Sequence, residues 1–130
     1  MTSLVLDTHA LLWVLVDPGR IPAETLATVQ APGTTVYVSA ASAWEIATKH
    51  RLGKLDGAAA VVSGYPEHLA RLRARELAIT GHHALTAGTL QWSHRDPFDR
   101  VIVAQAVLES LPVVTSDAAL VEFPAIRTVW

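Results

Sequence analysis

Four acidic side chains lie beside apolar segments of the sequence, where an unpaired carboxylate is costly. They are Asp7, Glu45, Asp99 and Asp117. Carboxylates that converge repel one another, and a divalent cation with oxygen ligands, such as Mg²⁺ or Mn²⁺, relieves that repulsion. Such an ion activates water and polarises phosphoryl oxygens. The four acids therefore indicate a candidate metal site suited to phosphoryl chemistry.

Each of these acids has a structural explanation when it is taken alone. Asp7 could cap the helix that follows it, and Asp117 could be an ordinary turn residue. Glu45 could be a surface acid that pairs with Lys49, four residues further along a helix. Only the set, rather than any single acid, indicates a functional site.

Asp96 and Asp99 are placed like a capping box around Pro97. Capping explains Asp96 well, because its side chain would accept from the first backbone N–H groups of the helix. It explains Asp99 less well, since an aspartate is short for the return hydrogen bond. We therefore expect Asp96 to be the helix cap and Asp99 to be the functional acid.

Strands and helices alternate along the chain, which predicts an α/β fold with a parallel sheet. We expect strands over residues 3–6, 36–38, 113–115 and 126–129, with a further strand over 77–80. We expect helices over 9–16, 22–31, 41–51, 58–63, 67–75, 81–90 and 96–110, the first of them capped by Thr8. Asp7 and Asp117 follow predicted strands, and functional residues of open α/β sheets gather at the carboxyl ends of strands.

The composition is typical of a globular chain with a sizeable core. Of 130 residues, 51% are apolar and 17% are charged, so we expect residues 1–130 to form one domain. The formal net charge of -2 argues against a general electrostatic binder of nucleic acid, so any contact with RNA must be local. The absence of cysteine excludes thiol nucleophiles and thiolate metal sites. With no long apolar run and no basic leader, we expect a cytoplasmic protein that has no membrane partner.

Four segments together resemble the PIN-domain family, and more narrowly its VapC-type toxin ribonucleases. They are VLDTHALLW at 5–13, SAWEIA at 42–47, DPFDR at 96–100 and TSD at 115–117. The similarity extends over essentially the whole chain. Its most specific part is SHRDPFDR at 93–100, followed by AQA at 104–106, and it is weakest over 57–75.

This resemblance implies a three-layer α/β/α fold around a central parallel sheet, and a metal-dependent endoribonuclease. The catalytic and metal-binding acids of the family correspond to Asp7, Glu45, Asp99 and Asp117, with Mg²⁺ or Mn²⁺ as the metal. Metal-activated water would hydrolyse the RNA phosphodiester bond and leave a 5′-phosphate and a 3′-hydroxyl. The resemblance also implies a toxin of a toxin–antitoxin pair, a small cognate antitoxin that blocks the acidic site, and a toxin homodimer.

Other side chains are expected to support these acids. Asp96 matches an additional acid of the subgroup, and its role is secondary. Hydroxyl groups that would hydrogen-bond the acids or their waters belong to Thr8, Ser39 and Ser116. Candidates for contact with the RNA substrate are His9, Arg95 and Arg100.

Two kinds of side chain are expected to be structural. Trp13 and Trp44 lie in apolar helical stretches and are predicted to be core residues. His82, His83 and His94 lack the spacing of zinc ligands, so they are predicted to be surface or capping residues.

Two other functions remain open from the sequence. A phosphotransfer enzyme or receiver-type domain could use Asp7 as an aspartyl nucleophile. The haloacid-dehalogenase pattern, however, has a second aspartate where this chain has His9. The other alternative is a catalytically silent PIN-like binding module, and the presence of all four acids argues against it.

Overall fold

A five-stranded parallel sheet lies at the centre of the structure, a computed structural model that describes residues 2–130. The strands pair in the order β3-β2-β1-β4-β5. Their bounds are Thr2–Leu6 for β1, Thr34–Ser39 for β2, Arg75–Leu77 for β3, Val113–Val114 for β4 and Thr128–Val129 for β5. The central strands are short and apolar, which is typical of parallel strands covered on both faces.

Within residues 2–130, eight α-helices connect and cover these strands. Their bounds are Thr8–Val16 for α1, Ala23–Gln30 for α2, Ala40–Arg51 for α3, Ala58–Ser63 for α4, Tyr65–Leu72 for α5, Gly81–Thr89 for α6, Pro97–Glu109 for α7 and Ala118–Val121 for α8. None of the helices in this range is both long and apolar enough to cross a membrane.

Both faces of the sheet are buried, because successive strand residues point to opposite sides. On one face, Leu4 and Leu6 of β1 belong to a core that helices α1 to α5 complete. On the other face, Val5 packs with Ile102 of α7 and Leu120 of α8, while α6 packs against α7. Helices therefore cover the sheet on both sides, and the predicted three-layer α/β/α fold with a central parallel sheet is confirmed.

The order of the strands reverses at β1, which lies between β2 and β4. In an open parallel sheet, such a reversal leaves a crevice beyond the carboxyl ends of the strands. Leu6 pairs with Val38 on one side and with Val114 on the other. The fold thus brings Asp7, the start of α3 and the segment after β4 to the same edge of the sheet.

Two predictions near residue 75 are wrong. The helix predicted over 67–75 ends at Leu72, because Arg73 adopts the left-handed conformation with φ 57°. The strand predicted over 77–80 lies earlier, as β3, where Ser39 of β2 pairs with Leu77. Its position is set by pairing with a distant strand, which the local pattern does not contain. Helix α8 was also missed, since only a turn was expected at Asp117. The other elements lie where the sequence predicts them, with small differences at their ends.

Candidate active site

Asp7 follows β1 directly and is only 5% exposed. Its Oδ1 accepts a hydrogen bond from the backbone N–H of Ala10 at 2.7 Å, which makes Asp7 the N-cap of α1. Its Oδ2 accepts from the Thr115 hydroxyl at 2.5 Å. The prediction that Thr8 caps this helix is therefore wrong, because Asp7 already occupies the capping position.

The environment of Asp7 contains groups that raise the pKa of its carboxyl and groups that lower it. Burial raises the pKa of this carboxyl, the Thr115 and Ala10 hydrogen bonds lower it, and the net pKa lies above its usual value. The negative charge of Asp117 also raises the pKa of Asp7, so the two acids lie near each other. Asp117 is exposed at the N-cap of α8, where its side chain accepts from the N–H of Ala119 at 2.9 Å.

Glu45 lies in the second turn of α3 and is 2% exposed. Its Oε2 accepts from Nζ of Lys49 at 2.5 Å, so the predicted pairing with Lys49 exists. The pair is not on the surface, however, because α3 turns this face towards the sheet, where Ser42 and Ile46 are also buried. Within residues 2–130, the buried Oε1 of Glu45 has no hydrogen-bond partner.

Asp99 lies in the first turn of α7, and its Oδ2 is 2.7 Å from Nε2 of His94. Burial raises the pKa of Asp99 to about 6, with further raising by the charges of Asp96 and Glu45 and an opposing effect of the His94 hydrogen bond. The charges of Asp99 and Glu45 therefore repel each other, although the two residues lie on different helices. The prediction that His94 is a surface or capping residue is wrong, because it is half-buried against Asp99.

Asp96 has the capping role that the sequence predicts. Its Oδ1 accepts from the backbone N–H groups of Phe98 at 2.9 Å and of Asp99 at 3.2 Å, so it is the N-cap of α7.

Burial lowers the pKa of Lys49, but Glu45, Asp96 and Asp99 together raise it above its ordinary value. The ammonium of Lys49 therefore lies close to three acids.

The predicted supporting hydroxyls have other partners. Thr8 Oγ1 lies 2.9 Å from Ser42 Oγ and links α1 to α3, while Ser39 accepts from the N–H of Ala41 and caps α3. Ser116 is exposed, and the hydroxyl that holds Asp7 belongs to Thr115 instead. Thr115 was missed because only the pairing of β1 with β4 places it beside Asp7.

The predicted substrate contacts also differ from one another. The Arg100 guanidinium donates to four backbone carbonyls at 2.8–2.9 Å and thereby fixes the segment before α7, which leaves it few donors for RNA. These carbonyls belong to Ala87, Leu90, Trp92 and His94. Arg95 is exposed on an open groove of about 640 Å³ beside His94, and His9 is exposed on another of about 630 Å³. Both remain predictions.

The structural roles predicted for Trp13, Trp44 and His83 have different outcomes. Trp13 is half-buried, whereas Trp44 is 59% exposed and meets Phe98 edge-on with ring centroids 4.7 Å apart, so Trp44 is not a core residue. His83 does cap α6, since its Nδ1 accepts from the N–H of Thr80 and the Thr80 hydroxyl accepts from the N–H of His83.

The donor set of this edge fits a hard divalent cation, because it consists of carboxylate oxygens. The buried Oε1 of Glu45, which has no partner among residues 2–130, is an acceptor of the kind that such an ion satisfies. No three carboxylate or imidazole side chains between residues 2 and 130 are already gathered into a metal-binding group. Metal binding would therefore require Glu45 and Asp99 to exchange their contacts with Lys49 and His94.

Comparisons with known proteins place these observations in context. The family model described as PIN domain matches residues 4–126. Ribonuclease VapC16 of Mycobacterium tuberculosis is 42% identical over 64 residues, which span 49% of this chain and 44% of that protein. The match thus covers less than half of the curated relative.

Three solved structures have similar folds over 98% of this chain. VapBC2 from Rickettsia felis, bound to a DNA fragment from its promoter, has a TM-score of 0.72 at 15% identity, over 98% of that chain. A toxin–antitoxin complex from Klebsiella pneumoniae has a TM-score of 0.65 at 16% identity, and FitAcB from Neisseria gonorrhoeae has 0.64 at 20% identity, each over 96% of that chain. At these identities the similarity establishes the fold alone.

Proposed function

Because the chain belongs to the PIN domain family, we propose that it is a Mg²⁺-dependent endoribonuclease, the toxin of a toxin–antitoxin pair. The observation that carries this proposal is the burial of Glu45 beside Asp99, with one carboxylate oxygen that has no partner within residues 2–130. Acids placed in this way at the reversal of a parallel sheet are suited to binding a cation and a phosphate. The similarity to ribonuclease VapC16 over half of the chain supports RNA as the substrate.

In this proposal Asp7, Glu45 and Asp99 bind the metal directly. Asp117, which is exposed, contacts it through a water molecule. When bound, Mg²⁺ or Mn²⁺ activates water for attack and neutralises negative charge on the scissile phosphate. Thr115 and the N–H of Ala10 keep the Asp7 carboxylate in one orientation.

Residues around the acids would position the loop and the RNA. Arg100 holds the segment that carries His94, and so places the imidazole against Asp99. Arg95 is exposed on the groove beside His94 and His9 on the groove along α1, and both would contact RNA phosphates. The chain's net charge of -2 is consistent with such local contacts rather than a broad basic surface.

The structure disfavours Asp7 as an aspartyl nucleophile. Both carboxylate oxygens accept hydrogen bonds, and the side chain is nearly inaccessible to solvent. A nucleophile must present an oxygen to an incoming substrate group, whereas a metal ligand can bind a small ion through the second lone pair of an oxygen that already accepts a hydrogen bond. We therefore favour hydrolysis over phosphotransfer, and the presence of all four acids favours an active nuclease over a silent PIN-like module.

The test is cleavage of short single-stranded RNA by the purified protein, in Mg²⁺ and in EDTA. We expect cleavage only with the metal, and products with a 5′-phosphate and a 3′-hydroxyl. Glu45→Gln should lower the rate roughly a hundredfold or more, since it removes a charge that acts in the transition state. Glu24→Gln makes the same change at an exposed position of α2 and should leave the rate unchanged.

Two results would contradict the proposal. Undiminished cleavage in EDTA would exclude the metal, and full activity of Glu45→Gln would return Glu45 to a structural role. Trapping of an acyl phosphate on Asp7 would favour the phosphotransfer alternative instead.

We further propose that residues 1–130 act as one PIN domain that forms a homodimer and binds a small antitoxin. The support for an antitoxin is that the structural neighbours include toxin–antitoxin complexes. An acidic site without metal also suits a guanidinium, which pairs with carboxylates in a bidentate manner. Light scattering measures the oligomeric state, and a structure of the complex should contain an antitoxin Arg or Lys among the acids. An antitoxin bound only to the opposite face would exclude that contact.

A further inference from the structure

We propose that Lys49 competes with the divalent cation for Glu45 and thereby sets the metal affinity of the site. In this role Lys49 is a positioning residue: it neutralises Glu45 while no metal is bound and leaves the carboxylate when the metal binds. This inference rests on the proposed metal-binding function of the acids.

The geometry of the pair supports this exchange. Nζ of Lys49 lies 2.5 Å from Oε2 of Glu45, one helical turn away on α3. The Glu45 side chain is 3% exposed, whereas that of Lys49 is 31% exposed. The ammonium therefore reaches inward from the surface, and a lysine stem lets the charged group return to water while its methylene groups stay packed.

This ion pair differs from an ordinary surface pair. Two exposed side chains that separate are both solvated by water, so their pairing contributes little. If Lys49 leaves, by contrast, the carboxylate of Glu45 stays buried and uncompensated unless another cation takes its place. Because Oε1 has no partner in the part of the chain that the structure describes, Lys49 satisfies only part of this carboxylate, and a hard cation prefers such oxygens.

The ammonium of Lys49 also acts on more than one acid. Asp96 and Asp99 of α7 interact with its charge in addition to Glu45. Removal of this positive charge makes the whole group of acids more negative. A divalent cation should then bind more tightly, because its attraction to the group grows and no resident charge has to be displaced.

The test is calorimetric titration of Mg²⁺, without RNA, into the wild-type protein and Lys49→Gln. Glutamine keeps a hydrogen-bond donor for Glu45 but removes the charge. We expect Lys49→Gln to bind Mg²⁺ about tenfold more tightly than the wild type, because one unit charge near the ion is gone. Lys49→Arg keeps the charge and should stay close to the wild-type affinity.

Arg51→Gln is the matched control, because it removes one positive charge from an exposed position of the same helix. Its Mg²⁺ affinity should stay within about twofold of the wild type, since exposed charges at a distance are screened. Melting curves in EDTA and in Mg²⁺ supply a second readout. Lys49→Gln should be less stable than the wild type in EDTA and should gain more stability from Mg²⁺.

The possible outcomes separate the two proposals. If the wild type binds Mg²⁺ and Lys49→Gln binds it equally or more weakly, the role of Lys49 is overturned while the metal site stands. An equal gain in Arg51→Gln would reduce the effect to net charge and would also overturn it. If neither the wild type nor Lys49→Gln binds Mg²⁺, the proposed metal site itself fails, and this inference fails with it.

Discussion

Asp7 and Glu45 are both buried carboxylates of the candidate site, but they differ in their hydrogen-bond donors. Asp7 accepts from uncharged groups, whereas Glu45 accepts from a cation. Asp7 lies at the end of a central strand and accepts from a threonine hydroxyl and a backbone N–H. Glu45 lies on a helix and accepts from the ammonium of Lys49. Asp99, on the neighbouring helix, is likewise held by a group that can carry positive charge, the imidazole of His94.

We name these two regions the strand half, which comprises Asp7, Thr115 and Asp117, and the helix half, which comprises Glu45, Lys49, Asp99, His94 and Asp96. Hydroxyl and amide donors orient a carboxylate without removing its charge, so the strand half can keep its contacts when a cation arrives. In the helix half, the ammonium of Lys49 already neutralises the charge of Glu45 and the imidazole of His94 occupies an oxygen of Asp99, so both side chains compete with any metal. The difference predicts that metal binding leaves the contacts of the strand half in place and breaks those of the helix half.

The largest effect on stability is expected in the strand half. Thr115→Val changes the volume little but removes both the donor to Asp7 and the acceptor of the Asp117 N–H. It should destabilise the protein by about 1.5–3 kcal/mol, mainly because the carboxylate that loses its donor is ionisable and buried. This loss should be present in EDTA and persist in Mg²⁺, because the contact does not have to break for metal binding. Chemical denaturation under both conditions measures it.

Thr89→Val is the matched control for this variant. Its hydroxyl bonds to a carbonyl of its own helix at an exposed position, so its replacement should change stability by less than about 0.5 kcal/mol. If excess Mg²⁺ abolished the effect of Thr115→Val, the strand half would not be the fixed part of the site.

A smaller effect of opposite sign is expected from Asp99→Asn in the helix half. The pKa of Asp99 is raised to about 6, so at pH 7.5 the metal-free protein holds a carboxylate whose ionisation opposes folding. Asparagine removes that cost and should raise the Tm in EDTA by roughly 3–6 °C. It should also remove much of the stabilisation that Mg²⁺ gives the wild type.

The pH dependence of the stability of this variant tests whether the gain comes from the charge of Asp99. A group whose pKa is raised by folding costs no stability below its unfolded pKa, and the cost develops as the pH rises through the folded value. The advantage of Asp99→Asn should therefore shrink below pH 6 and vanish by about pH 4. Asp56→Asn, at an exposed acid, should show no such trend. A constant gain across this range would refute the charge explanation.

The smallest effect is expected from Asp96→Ala, although this residue is only three positions from Asp99. Loss of the cap of α7 should cost about 1 kcal/mol. That cost should be the same in EDTA and in Mg²⁺, and part of the RNA cleavage should remain. If Asp96→Ala rather than Asp99→Asn lost its response to Mg²⁺, the roles of these two acids would have to be exchanged.

Local sequence signals predicted some of this site and not the rest. The cap at Asp96 and the helix that follows are encoded in adjacent residues, and they were predicted correctly. The Thr115 contact to Asp7 joins residues 108 positions apart, and the four carbonyls bound by Arg100 belong to the last turn of α6 and to the irregular segment that follows it. Both depend on how distant elements meet, which hydrophobic periodicity does not specify.

The same limit explains the errors about exposure. The sequence predicted that Trp44 is buried, and the structural alternative for Glu45 placed a Glu45–Lys49 pair on the surface. The structure reverses both, because α3 packs its Ser42 and Ile46 face on the sheet and leaves Trp44 exposed beside Phe98. The direction in which a helix faces follows from its tertiary neighbours rather than from its residue types alone.

The most direct test of the central claim, that these acids form a divalent cation site, is anomalous diffraction from a crystal of the protein grown with Mn²⁺. We expect one strong peak within about 2.5 Å of carboxylate oxygens from at least two of Asp7, Glu45 and Asp99, at the distance typical of oxygen ligands. Nζ of Lys49 should have moved away from Glu45, while the Thr115 contact to Asp7 stays in place. A peak elsewhere on the molecule, or no peak at saturating Mn²⁺, would contradict the account.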